Sequence, residues 1–502
     1  MASQHQPDSL SFQLPLIFGM PSPRASRRAI LGSIGFVLLA SAIFLLSESW
    51  LQLPYFEIMT GLLLVHGLLA LLSLSGNLFI IFRYFLLWIL VIVTAGTWAW
   101  YGGDVLVAPF GPQFQTATNT RMLVLAGSFA VAAALAGWHA AMLMGQMRYG
   151  PPSASLFRFQ AYKILFGGGL AVLFSALYVI KMGGFVGGGA VYAANVQDTG
   201  FEFGVFNAFH FFGVALLVIA AAAKPALNPW LLGLAIITLV PGLLAGSRAD
   251  FLPQIFILGM LFVNRRVRDA IATQDAWRLV RFGAAVIALA ALGYLLALFI
   301  ALWRSGVDLT TAIRLLSSSE EGGLVNDIYG HDMVYLETGN MMLGGLYAVI
   351  EKTSRVGGEF LWGSSYLNYL LIAPPAFLGL PRPLGLEWFL IVDGTQMSQG
   401  GVFEIAEAYW NFGLLGCLLV PFLLSFLIGW TMKKGLSANS IFFLALFQVM
   451  GFMAFRAVWY QTFAYFRIVT VFVAIYILAA FLFPWLFTRG FGPAKASVAA
   501  RE

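Results

Sequence analysis

Three polar side chains, Glu404, Glu407 and Asn411, have the spacing that brings them to one face of a helix. The glutamates are three residues apart, and Glu407 and Asn411 are four apart, in the segment SQGGVFEIAEAYWNFGLLG. At 1.5 Å per residue this stripe would extend about 10 Å into the apolar run that follows. A carboxylate partly removed from water could take a proton from a hydroxyl group or hold an arginine in place. Negative charge at a helix N-terminus would explain one glutamate, but not a stripe.

Arginines lie at the ends of several apolar runs. Arg248 is in the turn GLLAGSRADFL, and Arg304 and Arg456 each end a run. A guanidinium near lipid is costly unless it is paired or used, and its fork of donors fits phosphate oxygens. We therefore expect Arg248 and Arg456, supported by Arg304, to bind a diphosphate. Salt bridges to carboxylates, or contacts with lipid headgroups, are the alternative.

Histidines supply a second set of groups that could carry protons. His331, in IYGHDMVY, is the alternative base to Glu407, unless it is an exposed loop residue. We expect His66, His139 and His210, which lie in or beside apolar runs, to form interhelical hydrogen bonds. The sequence has no HExxH, CxxC, DxD or Walker pattern, so it predicts neither a metal site nor a nucleotide site.

The elements that must position these residues are membrane helices. The chain has 502 residues, of which 60% are hydrophobic and 10% charged, and its mean hydropathy is +0.86. Soluble domains are about 25% charged. We predict an all-α polytopic membrane protein with about twelve transmembrane helices. The predicted spans are 28–47, 57–76, 78–100, 121–144, 161–181, 206–223, 229–245, 250–264, 280–302, 405–430, 438–455 and 463–486.

These spans divide the chain into five regions. We predict an N-terminal tail over 1–27, nine helices over 28–304, one long outer loop over 305–403, three helices over 404–486 and a C-terminal tail over 487–502. We expect no cleavable signal peptide before the first span. A structureless loop of this length is improbable, and DIYGHDMVYLETGNMMLGGLYAVIEK has helical periodicity. The loop is therefore predicted to contain short helices.

The charge distribution orients the predicted helices. With the N-terminal tail in the cytoplasm, about 18 of the 28 Lys and Arg residues fall inside, against about 4 of the 22 Asp and Glu residues. Both termini are then cytoplasmic. The pI of 9.3 follows from this topology and does not indicate nucleic-acid binding. The single cysteine, Cys417, excludes an intramolecular disulfide.

Two motifs resemble those of a known family. SQGGVFEIAEAYWNFGLLG resembles the GG-F…E-x-Y-x-N-F-G-x-x-G signature of bacterial O-antigen polymerases, also called oligosaccharide repeat unit polymerases. LLAGSRADFLPQIFIL is similar to that family's GSR turn. The layout of many helices with one long loop before the signature also matches. The long polar N-terminal tail departs from the family pattern, and no residue of the loop is matched to a family base.

The resemblance implies a multi-pass glycosyltransferase of the bacterial inner membrane that uses polyprenyl-phosphate carriers. Undecaprenyl-diphosphate-linked oligosaccharides would be both donor and acceptor, joined at the periplasmic face, where the long loop would lie. No metal or cofactor would be needed, because arginines neutralise the leaving diphosphate. Membrane lipids and a chain-length regulator protein are the further partners that the resemblance implies.

The resemblance also suggests roles for the residues named above. Diphosphate binding would fall to Arg248, Arg304 and Arg456. Catalysis would fall to Arg248, with Glu407 or His331 as the base. Sugar contacts would come from Glu404, Tyr409 and Asn411.

Three other functions remain open. An O-antigen ligase has a similar architecture but uses lipid A-core as acceptor. A flippase for lipid-linked oligosaccharides should instead show a charged cavity among the helices. An exporter or a structural subunit should tolerate substitution of Arg248 and Glu407.

Overall fold

A computed structural model describes residues 21–48, 54–74, 78–102, 115–144, 337–354, 358–367, 391–392, 395–396, 403–437 and 441–459, with isolated positions between 168 and 284 and between 465 and 481. The helices in these ranges are α1 (Pro23–Glu48), α2 (Tyr55–Ser73), α3 (Leu78–Tyr101), α4 (Ala117–Leu143), α5 (Glu337–Ser354), α6 (Glu404–Ser437) and α7 (Ile441–Trp459). Two short strands, β1 (Ile391–Val392) and β2 (Thr395–Gln396), pair antiparallel.

Five of these described helices, α1 to α4 and α6, are long and apolar enough to cross a membrane. They coincide with the spans predicted over 28–47, 57–76, 78–100, 121–144 and 405–430, and α7 overlaps the span predicted over 438–455. The chain is therefore compatible with a membrane protein. The other six predicted spans and the C-terminal tail lie mainly or wholly outside the described residues, so the total of about twelve spans stays a prediction.

Hydrogen bonds between helices establish an up-and-down arrangement. The His139 ring near the end of α4 bonds the Ser26 hydroxyl at the start of α1, at 3.1 Å, and the Ser73 hydroxyl at the end of α2, at 3.2 Å. At the opposite end, the Tyr55 hydroxyl donates to the Arg121 carbonyl, at 3.0 Å. The first four helices thus alternate in direction, and the interhelical role predicted for His139 is confirmed.

His66 has the same kind of role within the bundle. Its Nδ1 lies 2.7 Å from the Tyr84 hydroxyl on α3, and its Nε2 lies 3.3 Å from the Ser33 hydroxyl on α1. The ring therefore ties three helices together, as predicted. His210 lies outside the described residues.

Helix α4 is the centre of the described bundle. Its run GSFAVAAALAG is dominated by small side chains, which let neighbouring backbones approach closely within a membrane. Helix α6 packs along α4 in parallel, because Lys433 near its end donates to the Met142 and Met144 carbonyls at the end of α4. By contrast, α1 is peripheral, with Leu31, Leu38 and Leu45 all at least 65% exposed.

The region predicted to be a long loop contains local structure. Helix α5 overlaps the second part of the segment whose periodicity predicted a helix, so that prediction is confirmed there. The five consecutive side chains from Leu346 to Ile350 are buried, and Glu351 after them is half-buried. Helix α5 therefore packs against the bundle. The β1–β2 pair, with Ile391 opposite Gln396, was not expected in an all-α chain.

Candidate active site

Helix α6 is broken near its start, at Phe412 and Gly413. Phe412 has φ −141° and ψ 15°, and Gly413 has φ 61° and ψ −145°. The second combination is essentially restricted to glycine, because a Cβ would collide with the backbone. The span predicted over 405–430 is therefore present but is not one continuous helix. The break separates a short arm, residues 404–411, from a long arm, residues 414–437.

The two arms fold back on each other. The Cys417 Sγ lies 3.9 Å from the Ile405 carbonyl oxygen, whereas in a straight helix these residues would be about 18 Å apart. A Cβ at Gly416 would overlap the Ala408 carbonyl oxygen, so only glycine permits this approach. The short arm is consequently re-entrant. Its first residue, Glu404, lies inside the bundle, and its last, Asn411, lies at the hinge.

An ion pair anchors the inner end of the short arm. The Arg83 guanidinium on α3 donates from Nη2 to the Glu404 carboxylate and from Nη1 to the Ser425 hydroxyl on the long arm. All three side chains are buried. Ser425 is eleven residues past Leu414, which is about 16 Å along the long arm from the hinge. Arg83 thus joins α3 to both arms at depth.

Glu407 lies one turn closer to the hinge and is also buried. Its neighbour is Tyr366, which lies outside the spanning helices. Burial raises the pKa of the Tyr366 hydroxyl well above its usual value, and the negative charges of Glu407 and Glu404 raise it further. That hydroxyl therefore stays protonated near neutral pH and can donate a hydrogen bond. A carboxylate and a hydroxyl in this setting are suited to accepting and relaying a proton.

Asn411 stabilises the turn that faces the hinge. Its Oδ1 accepts from the Gly363 amide at 2.8 Å, and its Nδ2 donates to the Ser365 hydroxyl at 2.7 Å. Nδ2 also donates to the Glu407 carbonyl at 2.8 Å, which confirms that these two residues share one face of the short arm. The amide group is thus used inside the protein, between the short arm and residues 361–365.

Tyr409 and Trp410 face helix α5. Tyr409 is hydrogen-bonded to Thr353, and the Lys352 ammonium lies 5.2 Å from the centre of the Trp410 ring. Only 7% of Tyr409 and 2% of Trp410 is exposed. Helix α5 therefore covers both rings, including that of Tyr409, for which the resemblance implies a sugar contact. Asn119 on α4 holds this corner by donating to Glu351 at 2.8 Å.

The structure brings together only part of the predicted site. Glu404, Glu407, Tyr409 and Asn411 all lie on the short arm. Arg456 is on α7, one turn before its end at Trp459. Three other predicted site residues, Arg248, Arg304 and His331, lie outside the described residues, so their roles stay predictions.

The residue that sequence reasoning missed is Arg83. Its signal is visible in LFIIFRYFLLWIL, where one arginine stands five residues inside an otherwise apolar run. An ionisable residue at such a position marks function or a buried partner. Tyr366 and Ser365 carried no comparable signal, because they belong to a long loop rich in similar residues.

Within the described ranges, no three His, Cys, Asp or Glu side chains converge as metal ligands would. The buried charges of the described site are instead carboxylates and a guanidinium. Comparison of the chain with family models, with curated proteins and with solved structures found no match.

Proposed function

We propose that this protein is an oligosaccharide repeat unit polymerase, which joins undecaprenyl-diphosphate-linked repeats into a surface polysaccharide at the periplasmic face of the inner membrane. One observation carries the proposal: the segment that resembles the family signature is a re-entrant helical arm that holds Glu407 inside the bundle. A continuous transmembrane helix would not require a buried glutamate and a glycine hinge in this segment.

Three residues of the signature, Asn411, Gly413 and Gly416, have a geometric reason in this arm, and so does Glu404 just before them. Glu404 pairs with Arg83, Asn411 binds the turn at Gly363, and Gly413 adopts a backbone conformation restricted to glycine. Gly416 permits the close approach of the two arms. These requirements explain the asparagine and the two glycines of the signature.

The charge at the two ends of the bundle supports the orientation. Arg24, Arg27 and Arg28 open α1 at the same end as Lys433 and Lys434. The hinge of α6 is at the other end, where Glu48, Glu57 and Glu351 are accompanied by Arg121 and Lys352. Because an excess of basic residues favours the cytoplasmic side, this distribution supports an orientation in which the hinge and the mouth of the short arm face the periplasm.

In the proposed reaction, a sugar hydroxyl of one lipid-linked repeat attacks the anomeric carbon of the growing chain. The new C–O bond forms as the bond from that carbon to the diphosphate breaks, and the lipid diphosphate leaves with the electron pair. Glu407 accepts the hydroxyl proton, with Tyr366 beside it. Arg248, Arg304 and Arg456 neutralise the leaving diphosphate, so the step requires no metal. Glu404 orients the short arm through Arg83.

A second function is favoured by a different observation. Buried ionisable pairs and broken helices near the membrane centre are typical of transporters, and the Arg83–Glu404 pair beside the α6 break fits that description. A flippase for lipid-linked oligosaccharides is therefore the alternative. It would move the same substrate across the membrane without changing a covalent bond.

The test is a reconstitution in liposomes with EDTA present. The substrate is the pool of lipid-linked single repeats extracted from the host strain after deletion of the gene for this chain. A ladder of products on undecaprenyl diphosphate supports the polymerase. Transfer only to added lipid A-core indicates a ligase. Repeats that reach the opposite leaflet without any ladder indicate a flippase.

A further inference from the structure

Trp362 combines two unusual properties beside the α6 hinge. Its φ is 49°, and within the described residues no other non-glycine position has a positive φ. Its side chain is also 76% exposed. A bulky residue in the left-handed region is a genuine outlier, and such strain persists where the surrounding structure imposes it, most often at functional sites.

The surrounding hydrogen bonds hold Trp362 in this conformation. Its amide donates to the Asn411 carbonyl at 3.1 Å, and the amide of Leu361 donates to the Trp410 carbonyl at 3.0 Å. The next amide, of Gly363, is bound by the Asn411 side chain at 2.8 Å. Phe360 supports the indole edge-on, with ring centres 5.9 Å apart. The backbone of Trp362 is therefore held at the hinge, and its ring faces outward.

We propose that Trp362 is the platform on which a sugar ring of the lipid-linked acceptor stacks. This inference rests on the proposed function and names a binding residue for it. The indole offers a rigid apolar face with a polar edge, which suits the C–H face of a pyranose. Tyr409, for which the resemblance implies a sugar contact, is covered by α5, as is the neighbouring Trp410. Among the described aromatic residues at the hinge, Trp362 has the exposed ring.

The position of Trp362 suits a sugar of the acceptor better than it suits the lipid. Trp362 is bonded to Asn411, and Asn411 is four residues from Glu407, about 6 Å along the short arm. A sugar on the indole would thus sit at the mouth of the arm that carries the proposed base. A membrane anchor would need neither the strained backbone nor this proximity. Trp100, 78% exposed at the end of α3, has an ordinary helical backbone and provides that comparison.

The test uses substitutions that separate the effect of the indole ring from the effect of the strained backbone. Trp362→Phe keeps a ring, Trp362→Ala removes it, and Trp362→Gly removes it while relieving the positive φ. In the reconstituted assay with the extracted lipid-linked repeats, we expect Trp362→Gly and Trp362→Ala to raise the acceptor KM about tenfold with little change in kcat. Trp362→Phe should stay close to wild type, and Trp100→Ala should leave KM unchanged.

Two outcomes would overturn the inference. One is that the Trp362→Gly protein is folded, makes a ladder and has the same acceptor KM as wild type. This result would contradict the platform and leave the polymerase function intact. The other is an equal change in Trp362→Ala and Trp100→Ala, which would make both rings membrane anchors. Direct binding of the delipidated repeat to wild type and to Trp362→Gly separates the two proposals further. Weaker binding to Trp362→Gly supports the platform even if the wild type makes no ladder.

Discussion

Arg83 and Glu404 are 321 positions apart in the chain and form a buried ion pair between α3 and the short arm of α6. The same guanidinium binds Ser425 on the long arm. The pair therefore fixes how far the short arm enters the bundle. Without it, the inner end of that arm would place a carboxylate in the apolar interior with no guanidinium beside it.

Removing one member of this pair should destabilise the protein strongly. We expect Arg83→Ala or Glu404→Ala to lower the free energy of unfolding by about 3–5 kcal/mol, because each leaves a buried charge uncompensated. The double variant Arg83→Met/Glu404→Leu should cost much less than the sum of the two. Thermal unfolding in detergent measures this, with the exposed Arg27→Ala as control. Additive losses would show that the two side chains do not interact.

Substitution of Gly413 should damage the hinge. Alanine there would keep a φ of 61° and a ψ of −145°, which costs about 1–3 kcal/mol of strain. Gly35→Ala is the matched control, because its Cβ would meet nothing within 4 Å on an ordinary helix. It should be neutral or slightly stabilising. If both variants melt at the wild-type temperature, the break in α6 is not as described.

Replacing Asn411 by aspartate, which has nearly the same size but carries a charge, should destabilise the protein. Asn411→Asp keeps an acceptor for the Gly363 amide but loses the donor to Ser365 and the Glu407 carbonyl. It also adds a negative charge one turn from Glu407. We expect a loss of about 1–3 kcal/mol in stability and faster protease cleavage within residues 358–367. Unchanged cleavage in Asn411→Asp would mean that the amide does not hold this turn.

Where the structure describes them, the membrane helices agree with the predicted spans, because each is specified by its own apolar run. The sequence also predicts that Glu404, Glu407 and Asn411 share a face, since helical spacing alone decides that. Two features depend on distant segments and could not be predicted in this way: the partner of Glu404 and the covering of Tyr409 by α5. A third, the return of the short arm along the long arm, depends on a backbone break that apolar periodicity does not reveal. The NFG sequence at the hinge was the one local sign of the break.

Glu407 should matter for activity but little for folding. Glu407→Gln preserves the size of the side chain and its ability to form hydrogen bonds, whereas Glu404→Gln weakens the bond to Arg83. If Glu407 is the base, its loss should lower kcat by about 10²- to 10⁴-fold, with a melting temperature near that of wild type. Glu404→Gln should instead lower the melting temperature.

The most direct measurement is the product ladder formed by purified wild type and Glu407→Gln from extracted lipid-linked repeats, with EDTA present and both proteins shown to be folded. The account predicts a ladder on undecaprenyl diphosphate from the wild type and only unextended repeats from Glu407→Gln. No ladder from folded wild type, or an equal ladder from both proteins, would contradict it.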